Sequence, residues 1–261
     1  MSIITLLTDF GAADHYVAAM KGVILQTAPK AVIVDITHQV APQNLLQAAF
    51  ILRQTFEYFP AGTVHVAVVD PGVGTQRPIV AARYSGQFVL APDNGLVSLL
   101  QGDFVLEELR VVQNEALFRR GVSATFHGRD IFAPVAGHIL KTGRLSDVGP
   151  PTDKLALLSL PMPGISSDGR IVGQIIYIDA FGNATTNISR ADLERALRRR
   201  TLPHVKTAGH DVGPLHRTYG DVPAGTPAAI LGSANMLEVA VSHGNAAQQL
   251  GLAVGQEVVV E

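Results

Sequence analysis

The chain has 261 residues, of which 47% are hydrophobic and only 6% aromatic, so it can fill an aliphatic core and is not disordered. Its 20 Lys and Arg residues against 22 Asp and Glu give a net charge of −2, which disfavours nucleic acid as the main partner, because phosphate binding depends on clustered positive charge. The absence of cysteine excludes disulfides, thiolate zinc sites and cysteine nucleophiles.

The first half of the chain alternates short apolar runs with segments of helical periodicity. This pattern is typical of a parallel sheet wound right-handedly with helices on its faces. Strands are predicted at 3–7, 31–36 and 64–69, a hairpin at 78–84 and 87–91, and helices at 15–27, 44–59 and 129–141. We expect the first strand to be buried on both faces and the second to be buried as well. These elements predict a mostly parallel, Rossmann-like α/β domain over residues 1–160.

The composition changes after about residue 150. Pro150 and Pro151, PMPG at 161–164 and SSDG at 166–169 form the stretch richest in proline, glycine and serine, which predicts a linker. Short strands are then predicted at 170–178, 184–188, 228–231, 237–241 and 257–260, with one basic helix at 191–200. The basic run 198–200 is interpreted as a solvated helix end. Together these elements predict a smaller, β-rich, barrel-like domain over residues 168–261.

The sequence contains no pattern that predicts a membrane span or a secretion signal. No apolar run reaches the roughly 20 residues of a transmembrane helix, and the first residues lead into a strand rather than a charged leader. We therefore expect a cytoplasmic protein. Because only 16% of the residues are charged, we also expect apolar surface to be buried between the subunits of an oligomer.

Two short motifs match nucleotide-binding patterns only by coincidence. DFG at 9–11 spells the magnesium-binding triplet of protein kinases, but no catalytic loop precedes it. GVG at 72–74 follows a strand but lacks the third glycine of the dinucleotide motif, and no G-x-x-x-x-G-K-[ST] occurs. The sequence therefore lacks the usual motifs for binding dinucleotides and nucleoside triphosphates.

Carboxylates stand at the ends of three predicted strands. Asp9 follows the first strand, Asp35 closes the second and Asp70 closes the third. Because ligands bind beyond the carboxyl ends of parallel strands, all three are candidates for a binding site. A loop or helix cap is the preferred interpretation for Asp35 alone, whereas Asp9 and Asp70 are interpreted as functional.

Asp70 opens the segment DPGVGTQR at 70–77. Its two glycines allow the backbone to approach a ligand closely, and Arg77 can balance the carboxylate. His127 precedes a predicted helix; alone it would be a helix-start hydrogen-bonding residue, but with Asp70 and Arg77 it completes a candidate water-handling set. Structural roles are assigned to the histidines in ordinary strand, helix or turn positions: His38, His65 and His138.

In the second domain, the segment YIDAFGNATTN at 177–187 packs an acid, an aromatic ring and amides into one turn between strands. An amide can pair with an adenine edge, and an aromatic ring can stack on a base with about 1 to 3 kcal/mol. A tight hairpin would use the same residues. Both interpretations remain open at this point.

Taken together, these segments resemble the S-adenosyl-L-methionine (SAM) hydroxide adenosyltransferases, the adenosine-forming SAM hydrolases related to the bacterial fluorinase and chlorinase. The resemblance covers nearly the whole chain. It rests on six motifs in order: LTDFG at 7–11, VDPGVGTxR at 69–77, APDNG at 91–95, FHGRDIF at 126–132, DxFGNxxTN at 179–187 and SxxxLExA at 233–240.

The resemblance implies that water attacks the ribose C5′ of SAM and releases adenosine and L-methionine. It also implies a homotrimer whose sites lie between the first domain of one subunit and the second domain of its neighbour. The implied roles fall into four groups: Asp9 for the ribose diol; Asp70, Arg77 and His127 for the water; Phe181, Tyr219, Asn183 and the backbone near Ala246 for adenine; and Asp179, Ser233 and Glu238 for the methionine amine and carboxylate.

The sequence departs from the family pattern after Ser233. Asn235 and Met236 replace the usual glycine, and Ala234 stands where the halogenases carry a basic residue, so the methionine contacts are the least secure part of the resemblance.

The implied chemistry needs no metal and no cofactor beyond the substrate, because a sulfonium is already an excellent leaving group. Orienting one water in line behind C5′ can lower the barrier by roughly 7 to 11 kcal/mol. A base that takes the proton adds a factor of about 10² to 10⁴.

Three alternatives compete with the hydrolase. A halogenase on the same scaffold needs a small dry pocket for an anion, which the Asp70 carboxylate would repel. A non-catalytic SAM or adenosine sensor would bind and leave SAM intact. A metal-assisted hydrolase would use Asp9, His127 and Asp130 and would be abolished by a chelator.

Overall fold

The computed structural model describes residues 2–197 and 203–261, and the chain forms two compact units, residues up to Leu158 and Ser159–Glu261. The units are described separately below. The basic run 198–200, interpreted from the sequence as a solvated helix end, lies outside the described residues. None of the described helices is both long and apolar enough to cross a membrane.

A six-stranded sheet forms the centre of the first unit. Its strands in chain order are β1 (Ile3–Thr8), β2 (Val32–Thr37), β3 (Val64–Val68), β4 (Ile79–Tyr84), β5 (Gln87–Pro92) and β6 (Leu106–Val111). They lie in the order β2-β1-β3-β5-β4-β6, in which β2, β1, β3 and β5 are parallel and β4 is antiparallel to both neighbours. The predicted parallel sheet with an added hairpin is confirmed.

Helices cover both faces of this sheet and bury its apolar side chains. They are α1 (Tyr16–Thr27), α2 (Leu45–Phe56) and α3 (Ala133–Thr142), the last preceded by a π-helical turn, Gly128–Phe132. Leu6 of β1 packs in one core with Met20 of α1 and Val135 of α3, whereas the next residue, Leu7, packs in the other with Leu52 of α2. This alternation is the two-residue period of a strand buried on both faces.

Two features of this sheet differ from the sequence predictions. The prediction that the second strand is buried is wrong, because β2 is an edge strand and Val32 is 54% exposed. Strand β6 was not predicted, since LEELRV carries charges at three of six positions and lacks an apolar run. Charged residues of this kind are common on edge strands, where they hinder pairing with other chains.

His65 is fully buried in the centre of the sheet, within a polar network. Its Nδ1 lies 2.8 Å from Thr5 Oγ1 and its Nε2 lies 2.9 Å from Gln87 Oε1. Burial lowers the pKa of His65 to about 4, although the Gln87 hydrogen bond acts in the opposite direction. The imidazole is therefore neutral at neutral pH and has the structural role predicted for it.

The second unit is a closed seven-stranded β-barrel. A short strand β7 (Gly164–Ile165) precedes the barrel strands, which are β8 (Ile171–Ile178), β9 (Ala184–Ser189), β10 (His204–Thr207), β11 (His210–His216), β12 (Pro227–Leu231), β13 (Met236–Val241) and β14 (Glu257–Val260). Pairing runs β14-β10-β11-β12-β13-β9-β8 and closes from β8 back to β14. Two helices accompany the barrel, α4 (Arg190–Leu197) and α5 (Ala246–Gln249). The predicted barrel-like architecture is confirmed.

Part of the predicted linker is ordered structure. Gly164–Ile165 pairs with β8, and Gly169 N donates to Ser166 O at 2.9 Å, so residues 164–169 form the start of a hairpin rather than a free connection. The prediction of a linker over 166–169 is therefore wrong. Strands β10 and β11 were not predicted, because β10 has only four residues and β11 contains Gly213 and Pro214 in its middle.

Candidate active site

A cavity of about 660 Å³ lies in the first unit beyond the carboxyl ends of β1 and β3. We call it the front cavity; its lining includes Asp9, Tyr16, Asp70, Phe126 and His127. Small-molecule sites typically have about 300 to 1,000 Å³, so its volume fits a ligand of nucleoside size. Its position follows the rule that ligands of open parallel sheets bind beyond the carboxyl strand ends.

Asp70, Arg77 and His127 form one connected group at this cavity. Arg77 Nε donates to Asp70 Oδ1 and Oδ2, each at 2.9 Å, and Arg77 Nη2 also bonds to Asp70 Oδ2. The Asp70 and Arg77 side chains are only 5% and 11% exposed. Arg77 Nη2 lies 3.0 Å from His127 Nδ1. The sequence predicted this set, and the structure brings its three members into contact.

The contact with Arg77 determines which tautomer His127 adopts. A guanidinium only donates, so Nδ1 of His127 accepts and the proton of the neutral ring lies on Nε2. Burial and the charge of Arg77 lower the pKa of His127, while Asp70 and Asp130 oppose the shift. His127 is therefore a neutral donor through Nε2.

The loop that carries Asp70 and Arg77 is held against the loop before His127 by Gly74. Gly74 has φ +77°, and a Cβ there would lie 2.3 Å from Ala124 O. Gly72 makes room for Arg77, whose Cγ would be 3.1 Å from a Cβ at position 72. These glycines allow close packing of the protein on itself, and their approach to a ligand stays a prediction.

Asp130 stabilises the π-helical turn that follows His127. It is 1% exposed and accepts from Arg129 Nε at 2.7 Å, Arg119 Nη1 at 3.3 Å and Ser123 N at 2.9 Å. Both of its oxygens are thus already bound to guanidinium or amide donors. Within residues 2–197 and 203–261, no cluster of three or more His, Asp or Glu side chains could hold a metal ion. The alternative of a metal site at Asp9, His127 and Asp130 finds no support in this geometry.

Asp9 also lines the front cavity. Its Oδ2 accepts from Gln43 N at 2.9 Å, and Gln43 has φ +64°, which is uncommon for a residue with a side chain. Asp35, in contrast, bonds to Lys21 at 2.6 Å and lies 3.0 Å from His38. The structure thus places Asp9 at the cavity, whereas Asp35 lies within β2 and holds Lys21 and His38 rather than capping a loop or helix as predicted.

In the second unit, Asp179 organises the turn between β8 and β9. Its Oδ1 accepts from Phe181 N and Asn183 N, each at 2.9 Å, and its Oδ2 accepts from Asn183 Nδ2 at 3.1 Å. Phe181 is 77% exposed. The turn therefore shows the local hydrogen bonding of a tight hairpin and also presents an aromatic ring on the surface.

Helix α5 packs against this turn. A Cβ at Gly182 would lie 2.1 Å from Asn245 Oδ1, and Ala247 N donates to Gly182 O at 2.9 Å. Ala246, the first residue of α5, is therefore close to the turn that holds Phe181 and Asn183. Sequence reasoning did not identify Asn245.

Glu238 and Tyr219 form a second pair in this unit. Tyr219 OH donates to Glu238 Oε1 at 2.6 Å. Burial raises the pKa of Glu238, and the charge of Asp179 adds to the shift, while the Tyr219 hydrogen bond opposes it. Asp179, Tyr219 and Glu238 are thus electrostatically coupled.

Ser233 lies exposed in the turn that precedes β13. In that turn Asn235 has φ +57°, a left-handed conformation that glycine and asparagine adopt most easily, and Asn235 N donates to Gly232 O at 3.0 Å. The replacement of the usual glycine therefore leaves the turn intact.

Three residues with clear roles at these sites were missed from the sequence: Gln43, Arg119 and Asn245. Gln43 contributes a backbone amide and Arg119 an ion pair with Asp130, neither of which has a local sequence signal, whereas Asn245 is the N-cap of α5, a position at which asparagine before a short helix is a recognisable signal.

The chain is similar to several known proteins over nearly its whole length. Family models match at residues 4–149, the SAM hydroxide adenosyltransferase N-terminal domain, and at 173–259, the SAM hydroxide adenosyltransferase C-terminal domain. The (R)-S-adenosyl-L-methionine hydrolase of Thermus thermophilus is 41% identical over 268 residues, which cover 99% of each protein. A fluorinase from Actinoplanes sp. is 30% identical over 220 residues, 74% of each protein. The crystal structure of an uncharacterized conserved protein from Thermotoga maritima superposes with a TM-score of 0.90 at 35% identity and covers 98% of this chain and 99% of that one.

Proposed function

The chain belongs to the SAM hydroxide adenosyltransferase family, and we propose that it hydrolyses SAM to adenosine and L-methionine by attack of water on the ribose C5′. The observation that carries this proposal is the contact of Asp70, Arg77 and His127 at a cavity of nucleoside size. The 41% identity to a named SAM hydrolase over the whole chain supports the same activity.

The residues divide the reaction between them as follows. A water oxygen forms the new bond to C5′ while the C5′–S bond breaks. The electron pair of the C5′–S bond stays on sulfur, which becomes the thioether of methionine. One water proton passes to Asp70, whose oxygens keep free lone pairs beside the Arg77 contacts, and then to solvent. His127 orients the water through Nε2–H. Orientation and a base are sufficient because the sulfonium leaves without acid assistance.

Substrate binding uses the remaining residues. Asp9 holds the ribose diol with the carboxylate oxygen that Gln43 leaves free. The exposed Phe181 and the half-exposed Tyr219 flank adenine, while Asn183 and the backbone near Ala246 bind its edge. The methionine amine and carboxylate are held by the remaining group of residues: Asp179, Ser233 and Glu238.

The proposal includes a homotrimer in which each site combines the first unit of one copy with the second unit of its neighbour. Exposed large apolar side chains support burial in an assembly: Tyr58, Val105, Met162 and Phe181. Light scattering measures the mass. Mixing inactive Asp70→Asn subunits with Glu238→Gln subunits, whose KM for SAM is raised, tests the shared site, because at low SAM a shared site gives some mixed trimers a site with the wild-type KM and separate sites do not.

We propose that no metal and no cofactor other than the substrate take part, since the residues around Asp70 supply the orientation and the base. Because SAM is made and used inside cells, a cytoplasmic location is part of the same proposal. Elemental analysis of the purified protein tests the first statement, and cell fractionation tests the second.

The relatives with hydrolase names act on the (R) form of SAM, and we propose that this chain shares that preference. Separate incubation with each sulfonium epimer tests it. Equal rates with both epimers would refute the preference without affecting the hydrolysis itself.

Labelled water provides the decisive experiment. Incubation with SAM in H₂¹⁸O is expected to give adenosine with one ¹⁸O in its 5′-hydroxyl, detected by mass spectrometry. A sensor would leave SAM intact beyond its background decay. A halogenase would give a 5′-halonucleoside when halide is added, an outcome disfavoured because Asp70 places a carboxylate at the cavity.

A further inference from the structure

A second cavity lies against the same group of residues. It has about 260 Å³ and is lined by Arg77 and His127 together with the following residues: Thr75, Gln76, Gln113, Phe118 and Ile131. We call it the rear cavity. His127 lines both cavities, Asp70 lines the front one and Arg77 the rear one. The Asp70–Arg77–His127 group is therefore the wall between the two cavities.

The size of the rear cavity fits water rather than a nucleoside. A water molecule occupies roughly 30 Å³ of liquid, so 260 Å³ holds several waters and lies below the usual range of ligand pockets. Exposed Gln76 and Gln113 connect the cavity to bulk solvent, and the guanidinium of Arg77 supplies polar atoms within it.

The weakest contact within this wall is the hydrogen bond between Arg77 and His127. Arg77 is fixed to Asp70 by a charge-assisted, two-nitrogen contact, but it reaches the neutral His127 through a single hydrogen bond of 3.0 Å. A water molecule can replace that single bond on both partners at little cost, because Arg77 donates and His127 Nδ1 accepts. Opening of the Arg77–His127 contact thus allows water to exchange between the rear cavity and the carboxylate of Asp70.

Hydrolysis requires such a route. Each turnover consumes one water, which must lie on the side of C5′ opposite the sulfur. In the proposed binding mode C5′ faces Asp70, so the nucleoside itself would cover Asp70 from the front cavity. We propose that the attacking water enters through the rear cavity and passes between Arg77 and His127 while the substrate occupies the front cavity. This inference rests on the proposed hydrolysis.

Bulky substitutions in the rear cavity test the route. Gln113→Trp and Gln76→Trp change exposed residues that lie outside the Asp70–Arg77–His127 group. We expect kcat to fall at least about tenfold, with KM within about twofold, since substrate binding is untouched. Glu115→Trp is the matched control, because Glu115 is exposed on the neighbouring 3₁₀ turn and does not line the rear cavity; its kcat is expected to stay at the wild-type value.

A competing nucleophile provides a measurement that general damage to the enzyme does not alter. Methanol can attack C5′ in place of water, giving 5′-O-methyladenosine and methionine, with its hydroxyl proton passing to Asp70 and then to solvent. The ratio of this product to adenosine is expected to fall at least about threefold in the two Trp variants and to rise in Gln113→Gly, because methanol is larger than water.

The outcomes separate this inference from the proposed function. If the wild-type protein forms adenosine but the Trp variants keep both their kcat and their product ratio, the rear route is wrong and hydrolysis stands. The route is also wrong if Glu115→Trp changes as much as they do. If the wild-type protein forms no adenosine from SAM, the proposed function fails and the route fails with it.

Discussion

Asp70 in the first unit and the pair Asp179 and Glu238 in the second unit lie in opposite electrostatic surroundings. In the first unit Asp70 is paired with Arg77 through two nitrogens, so its charge is balanced before any ligand arrives. In the second unit Asp179 and Glu238 influence each other, and among the described residues no salt bridge links either of them to a cation. The first arrangement suits chemistry on a neutral water, and the second suits a cationic ligand such as the ammonium group of SAM.

The largest effect that this contrast predicts is the loss of turnover in Asp70→Asn. The amide keeps the shape of the side chain but cannot take a proton, so kcat is expected to fall by about 10³ while the Kd for SAM changes by less than about threefold. Steady-state kinetics and calorimetric titration measure the two quantities. Asp70→Ala is expected to behave similarly, with a further loss of stability.

Asp103→Asn is the control for this prediction, since Asp103 also accepts from an arginine, Arg53 Nε at 2.8 Å, but on the surface. Its kcat is expected to match that of the wild type. Equal losses of binding and rate in Asp70→Asn would show that Asp70 only contacts ligand, and the contrast between the two units would fail.

Acid is expected to act with opposite signs through His65 of the first unit and Glu238 of the second. The folded pKa of His65, about 4, lies below the ordinary value of 6.5, so the unfolded state takes up a proton first as the pH falls through this window. The first unit should lose roughly 3 kcal/mol of stability between pH 7 and pH 4. The pKa of Glu238 is raised, so its charged form destabilises the folded second unit. This destabilisation is relieved as the pH falls and the carboxyl takes up a proton.

Denaturant unfolding at several pH values, with hydrogen exchange read separately for each unit, measures this difference. His65→Gln removes the titrating group and is expected to flatten the pH dependence of the first unit, whatever its absolute stability. A first unit equally stable at pH 7 and pH 4 would contradict the prediction.

A smaller effect is expected from Glu238→Gln. This change removes one of the two carboxylates offered to the substrate ammonium, so KM for SAM should rise about 10- to 100-fold, with kcat within about threefold. Tyr219→Phe keeps the carboxylate and removes only its hydrogen bond, and its KM should rise less. A fall in kcat with unchanged KM would place Glu238 in the chemistry and remove the distinction between the units.

The smallest expected effect is that of a chelator. The proposed mechanism takes both orientation and base from Asp70, Arg77 and His127, so incubation with EDTA followed by gel filtration is expected to leave kcat within about 1.5-fold of the untreated value. If EDTA abolished activity and a divalent cation restored it, the prediction would be wrong. Arg77 alone would then not balance the charge of Asp70, and a metal ion would take part.

Much of the first unit could be predicted because its strands are continuous apolar runs and its ligand edge follows from topology. The position of Asp70 at a strand end led to the correct grouping with Arg77 and His127. The exposure of β2 could not be predicted, since VIVDIT reads the same at the edge of a sheet as at its centre.

Other features depend on contacts between distant segments. The tautomer of His127 follows from Arg77, 50 residues earlier in the chain, and no local pattern encodes it. Arg119 meets Asp130, eleven residues later, at the π-helical turn. In the second unit, β10 and β11 are strands because they close the barrel, not because their sequences favour strand strongly.

The contact between Gly74 and Ala124 sets the spacing of the reactive group through main-chain atoms alone. A changed side chain elsewhere on the two loops leaves this main-chain approach in place. A side chain at position 74 itself is different, because even the methyl group of alanine would push the two loops apart and separate Asp70 and Arg77 from His127.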